Sequence, residues 1–399
     1  MSTSQGLDTS LIHFTKDTEG KLRAHVLAKR TYRLLDGRVP EVAPEQLAIV
    51  REPLYEDGNE DNPVAWEPDF YACPRTGTDV VVLGSAFCRE GPRRELDVSV
   101  SVDLGGVKRS APERVTRRVR VFGDRKVDWY EGSVHFTDPE PFERMPLTFR
   151  RAYGGHDRAA DEEHPDDFAS WLAKAGDLPM EDISPYEYPR NPAGKGYVVF
   201  PDRRALDGLE LPNLEMPGAL LTPENLVLGA AARWPFAPRP AGFGFTDQSW
   251  FPRNAFLGLS PSFEGELQEI PEVREGYLPP ELLEGDITDH LGSPQNLRFF
   301  HAAAPWLVFP DFDGDETLRI ANMHPSLPEL VVPMPRERPL LLLEPHTGGA
   351  AELAPALRTV VVRPDEEQLV LIWVGTLPVD RPPTEAQYRK MRHAVKWRS

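Results

Sequence analysis

The sequence predicts a mainly β protein: antiparallel, sandwich-like sheets with long Pro-rich ordered loops, a few short helices and a C-terminal helix. Three observations carry this expectation. The 399-residue chain holds 42 prolines, and proline inside a helix removes an N–H and clashes with the preceding turn. Two stretches alternate apolar and polar side chains with period two, the pattern of a strand buried on one face. The long middle is rich in aromatic residues, which disordered segments lack. A chain of this length buries roughly three quarters of its unfolded surface, so it needs neither disulfides nor metal to hold together.

The elements follow in order. Residues 26–35 read as a strand, with Asp36-Gly37 as its turn. Residues 80–88 are apolar on both faces and read as one interior strand. Leu96, Val98, Val100, Val102 and Leu104 alternate with Asp97, Ser99, Ser101 and Asp103, and Gly105-Gly106 closes the run. From 115 to 122, Val115, Val119 and Val121 share one face, with Thr116, Arg118 and Arg120 on the other. Short strands at this spacing predict a β-sandwich-like part over residues 1–150.

Residues 151–300 are different. Between 176 and 300 there are 17 prolines. Phe168, Trp171, Leu172 and Ala175 recur at helical spacing and predict one short helix from Asp166 to Ala175. The rest is expected to wrap the β core as ordered irregular chain. Residues 301–399 return to strands. A hairpin is expected over 306–323 around Asp313-Gly314, and a second joins 359–363 to 369–375. A final helix is expected over 384–397, with Thr384 and Gln387 as a capping box and a basic second half. The three parts are compatible with one continuous body.

Charge and composition exclude several function classes. The formal charge of −18 repels phosphate backbones and anionic lipid surfaces, so neither nucleic acid nor membrane is expected as a partner. The run 108–126 carries eight Lys/Arg; it is assigned to an anionic protein partner or to pairing within the chain. Cys73 and Cys88 read as small buried hydrophobes in a reducing compartment. The N-terminus lacks a basic segment followed by an apolar run, and the apolar stretch 369–375 is far too short to span a bilayer. A cytoplasmic location is expected.

No catalytic, metal or cofactor motif stands out. The acidic loop from Asp311 has Glu316 and Asn322 where a calcium loop needs Gly and a bidentate Glu. The Gly194-Lys195-Gly196 segment lacks the Ser or Thr of a phosphate-binding loop. The ten histidines show no metal-ligand spacing, and no nucleophile elbow is present. No catalytic residue, metal or cofactor is therefore expected. The competing enzyme reading is a hydrolase of cell-wall or carbohydrate material, with its site among His156, Asp157, His301 and His324.

A set of ordered segments is more specific. They are Val121–Arg125, Pro141–Leu147, Arg150–Gly155, Asn191–Gly196, Leu211–Glu215, Pro240–Gly244 with Trp250 and Arg253, Phe299–Pro305, and Asn322–Pro325. In this order and spacing the chain resembles a bacterial family first catalogued as a domain of unknown function and met beside type VI secretion genes. The resemblance implies a cytosolic adaptor or chaperone, not an enzyme. Its partners would be an effector protein with a PAAR-like domain and the spike protein onto which that effector is loaded. Two positions depart from the family pattern: Trp306-Leu307 after Pro305, and His301 where Asn or Gln is common. The motif residues nominate Arg150, Tyr153, Asn191, Lys195, Phe243, Trp250 and Arg253 as partner contacts, since interfaces favour aromatic and Arg anchors. The motifs also have an architectural reading: Gly154-Gly155 and Gly242/Gly244 permit positive φ or close backbone approach, the Pro-Asn and Asn-Pro pairs form turns, and Arg150 and Arg253 are buried arginines that pin loops.

Overall fold

The computed structural model describes residues 8–17, 19–104, 113–130, 132–158, 187–284, 296–346 and 349–398. Strands from both ends of the chain enter the same sheets. A seven-stranded sheet runs in the order Ser10–Lys16, Leu22–Arg33, Gln368–Pro378, Ala356–Arg363, Thr78–Val82 and Val308–Phe309, with Glu41–Val42 also on strand 22–33. A five-stranded sheet runs Leu214–Glu215, Glu113–Phe122, Glu95–Leu104, Thr317–Ala321 and Glu329–Pro333. A three-stranded sheet joins Ala351–Leu353, Arg338–Glu344 and Arg392–Arg398. The fold is mainly β, with several antiparallel sheets and few short helices. Within these three sheets the exception to antiparallel pairing is strand 356–363 beside 78–82.

Alternation places the core. Val98, Val100 and Val102 of strand 95–104, with Val119 and Val121 opposite, are fully buried. They meet Val80, Val82, Val360, Val362 and Leu371 of the large sheet in one apolar cluster. Farther along strand 22–33, Ala24, Val26 and Ala28 lie against Leu341, Leu343 and Leu353 of the three-stranded sheet. Tyr32, on the same face of that strand, joins the larger cluster. The two smaller sheets therefore share one face of the large one. On its other face Leu27, Ile372 and Val374 pack under Ile49, Ala72 and Cys73. Both cysteines are free and buried. A separate cluster, built on Tyr153, Tyr188, Tyr197, Leu211, Trp234 and Phe256, fills the proline-rich middle.

The period-two strands lie where the sequence puts them, at 95–104 and 113–122. The hairpin of 356–363 with 368–378 is present. Three expectations need correction. Residues 80–88 are two strands, Thr78–Val82 and Ser85–Phe87, which enter different sheets. Residues 306–323 form no hairpin: 308–309 pairs with 78–79, whereas 317–321 lies between 95–104 and 329–333. Gly314, at φ 88°, turns the chain from one sheet to the other. The C-terminal helix is one turn, Glu385–Tyr388, followed by strand 392–398. Its capping box is real, with both reciprocal bonds made. Beyond it, His393, Val395 and Trp397 alternate inward with Arg392, Lys396 and Arg398 outward, and burial against Leu341 and Leu343 decides for a strand. The expected helix 166–175 lies outside the described residues.

One buried group predicts acid sensitivity. His25 is 2% exposed, and its ring nitrogens lie 2.8 Å from Thr15 Oγ1 and 2.9 Å from Thr376 Oγ1. Burial, with the charge of His13 second, pushes its pKa down to about 3. The unfolded chain therefore takes up a proton first, from about pH 6.5 downward, and stability contributed at neutral pH is lost as pH falls from there toward 3. Urea unfolding at stepped pH should show this slope, and His25→Gln should flatten it.

Candidate functional site

The structure uses most of the motif residues to hold the chain together. Arg253 is 2% exposed; its Nη1 lies 2.7 Å from Glu67 and its Nε donates to Phe299 O at 3.0 Å. The fully buried Asn191 donates to Phe149 O at 2.8 Å and Tyr153 O at 3.1 Å. Tyr153 stacks edge-on against Tyr188. Phe243 packs on Trp306, and Trp250 meets Phe149 edge-on. The Lys195 ammonium sits 3.6 Å from Glu210 and 4.0 Å from Asp124, with burial lowering its pKa first. Arg150 is exposed and pairs with Asp57 at 3.0 Å. Tyr153, Asn191, Phe243, Trp250 and Arg253 cannot touch a partner unless the surrounding chain opens.

The four residues of the hydrolase reading fall into separate neighbourhoods. His156 Nε2 lies 3.9 Å from Glu187, and Asp157 accepts the Val199 N–H at 2.7 Å. His324 Nδ1 accepts the N–H groups of Ser326 and Leu327. His301 Nδ1 lies 2.6 Å from Asp79, which also accepts the Ala302 and Ala303 N–H groups and pairs with Arg75 at 2.8 Å. The Arg75 and His301 charges and these hydrogen bonds outweigh burial and hold the Asp79 pKa below the usual carboxylate range. Asp79 thereby staples the 301–303 turn to strand 78–82. Among the described residues no group of three or more His, Cys, Asp or Glu is placed to hold a metal. No described helix is long and apolar enough to cross a membrane.

A broad concavity lies beside the motif segment Phe299–Pro305, which contributes His301 and Pro305 to its lining. It is a cleft of ≈ 720 Å³ between strand 113–122, Met216, Arg239 and the segments 275–277 and 298–308. Four arginines line it: Arg117, Arg118, Arg239 and Arg298. Among the described residues its lining holds one carboxylate, Glu275, and Arg239 takes it at 2.8 Å. Arg298 donates to the carbonyls of Gly276 and Tyr277, and Arg117 Nε donates to Trp306 O at 2.7 Å. Burial lowers the Arg117 pKa.

The cross-strand register explains the imbalance. Arg120 faces Asp97 and Arg114 faces Asp103, and both pairs form ion pairs. Arg118 faces Ser99, and no carboxylate pairs with it among the described residues. Arg118 therefore carries an exposed, uncompensated charge into the cleft of an acidic chain. Beside it a slot of ≈ 40 Å³ opens between Phe149, Pro240, Pro252, Ala304 and Trp306.

Residues 19–374 match the family model described as "Uncharacterized protein conserved in bacteria (DUF2169)". The chain belongs to this family. Neither a curated protein nor a solved structure matches it. For this DUF2169 chain, sequence reasoning missed Arg117, Arg298 and Trp306 as site residues. Arg117 was hidden because it shares strand parity with Val115 and Val119. The usable signal was the acid–serine pattern along 97–103, which leaves one arginine of the facing strand without a counter-ion.

Proposed function

We propose that this DUF2169 protein is a non-enzymatic cytoplasmic adaptor. It holds a segment of a type VI secretion effector, through or beside its PAAR-like domain, until the spike protein accepts it. The observation that carries this reading is the arginine-lined cleft, with Arg117, Arg118 and Arg298 lacking carboxylate partners among the described residues of a chain of net charge −18. Uncompensated cations beside the lining residues Tyr277 and Trp306 favour capture of a protein segment of opposite charge. Capture of an unstable segment lowers its unfolded population by mass action. The family resemblance supplies the identity of the partners.

The test is co-purification from cells expressing the effector with its PAAR-like domain. The wild-type chain should retain it, and Arg118→Glu should weaken retention about tenfold, the loss of one rim charge reversed in sign. Because Arg118 has no partner among the described residues, melting of the variant should stay within about 0.5 kcal/mol of wild type. Equal retention by both would reject the cleft as the binding site. The hydrolase reading draws on a single observation, that His301 lines this cleft with Asp79 behind it. Asp79 is already saturated as a turn staple, which favours the adaptor.

A further inference from the structure

The cleft also exposes a strand edge, and this fixes the form of what binds there. The Phe122 N–H points away from strand 95–104 and donates to Asn213 O at 2.7 Å. In an antiparallel ladder the outward N–H and C=O groups belong to every second residue. The register of 113–122 on 95–104 runs without a shift, so Arg120, Arg118 and Thr116 present their backbone groups to the same outer side. Strand 214–215 covers that side only at Arg120 and Val121. Among the described residues no strand or backbone hydrogen bond covers the edge at Thr116 and Arg118, and both residues line the cleft.

We infer that an extended acidic segment of a partner protein adds as a strand to the Thr116–Arg118 edge, placing carboxylates on the cleft arginines and a small apolar side chain in the slot beside Trp306. This rests on the reading of the cleft as a protein-docking site and goes beyond it by naming the chemistry and conformation of the occupant. Strand addition draws affinity from main-chain hydrogen bonds and specificity from alternate side chains. Alternation suits both features here: one side of an added strand continues the face of Arg118, and the other continues the face of Arg117, whose Nε donates to Trp306 O. A second copy of this chain is a poor occupant, because edge-to-edge pairing would set Arg118 near its own counterpart. Nucleic acid offers anions, but the overall charge of −18 opposes its approach. A slot of ≈ 40 Å³ exceeds the roughly 10–15 Å³ that one water requires, which leaves room for a small side chain.

The experiment titrates the full chain into a fluorescein-labelled peptide alternating glutamate with valine and reads anisotropy. Three comparisons accompany it. The first is Arg118→Glu. The second is Thr116→Pro, which removes, together with the hydroxyl bond to Ser101, an outward N–H that the ladder does not use, a substitution that edges tolerate. The third is the same peptide with alternate amides N-methylated. Binding by wild type, weakened roughly tenfold or more by each of the three, with melting unchanged in Arg118→Glu and both variants folded at the assay temperature, supports strand addition. Equal binding of the N-methylated peptide overturns it. So does displacement of the peptide by a single-stranded oligonucleotide at equal concentration, and so does absence of binding. If Arg118→Glu releases the intact effector while the peptide neither binds nor competes, the inference fails and the adaptor reading stands. If the peptide binds but no effector co-purifies, the adaptor reading fails and the edge site stands.

Discussion

Arg253→Met is expected to destabilise the protein by about 3–5 kcal/mol, the cost of stripping a buried ion of its partner. Arg253 and Glu67 are 2% and 3% exposed and lie 2.7 Å apart. The guanidinium also donates to Phe299 O and Thr246 O and lies over the rings of Tyr71 and Phe299. It therefore ties segment 64–71 to the 246–253 loop and to the 297–301 turn. Burial raises the Glu67 pKa, and Arg253 opposes that rise. Without Arg253 the raised Glu67 pKa means that the folded state binds the extra proton. The deficit should therefore shrink as pH falls below the new Glu67 value. A second change, Glu67→Leu on the Arg253→Met background, should recover part of the loss by removing the orphaned charge. Urea unfolding at two pH values measures both effects. A change below about 1 kcal/mol at neutral pH would show that Arg253 is not a structural pin.

Gly154→Ala carries the next largest effect, about 3 kcal/mol or more from combined overpacking and backbone strain. Gly154 has φ 152°, and a Cβ there would stand 2.1 Å from Asn191 O. That carbonyl cannot retreat cheaply, because it accepts the N–H groups of Gly155 and Gly194. Gly208→Ala is the control. Its φ is also positive, at 71°, but nothing lies within 4 Å of the new methyl, so its cost should stay near 1 kcal/mol. Thermal melting of the two variants side by side separates steric conflict from backbone strain. Equal shifts would mean that the 153–155 segment moves to accommodate the methyl.

The sequence-to-structure relation divides by the range of the cause. Strand 95–104 was legible because its alternation is local and unbroken, and strand 113–122 because Val115, Val119 and Val121 keep the same period around Arg117. The turn at Asp313-Gly314 was also legible, but a turn signal says only that the chain reverses. Which sheet each flank joins depends on residues such as Asp79 and Ser101, far away in sequence. The C-terminal helix failed for a related reason. Thr384 and Gln387 do start a helix, yet a cap sets where a helix begins and not how far it runs. The period-two pattern in 392–398 competed with a basic run that suited a helix C-terminus, and packing of Val395 and Trp397 resolved it.

The candidate site shows the same division. The motif arginines and glycines drew notice as unusual residues in a set order, and the structure explains Arg253 as a buried pin and Gly154 and Gly155 as close backbone approaches, while Arg150 stays at the surface. Arg118 was visible as an outward cation on a strand. Its lack of a counter-ion was not, since that follows from the register that sets it against Ser99. Arg298 and Trp306 reach the same cleft from a segment distant in sequence, which only the tertiary fold brings together.

The central claim is that this cleft receives a segment of a secreted effector. The most direct measurement places a photo-crosslinking residue at position 118 in the native bacterium and identifies what it captures. The account predicts a covalent product with an effector carrying a PAAR-like domain, attached within an acidic extended segment, and no such product when the same residue replaces exposed Tyr388. Capture of the effector at position 388 but not at 118 would contradict it.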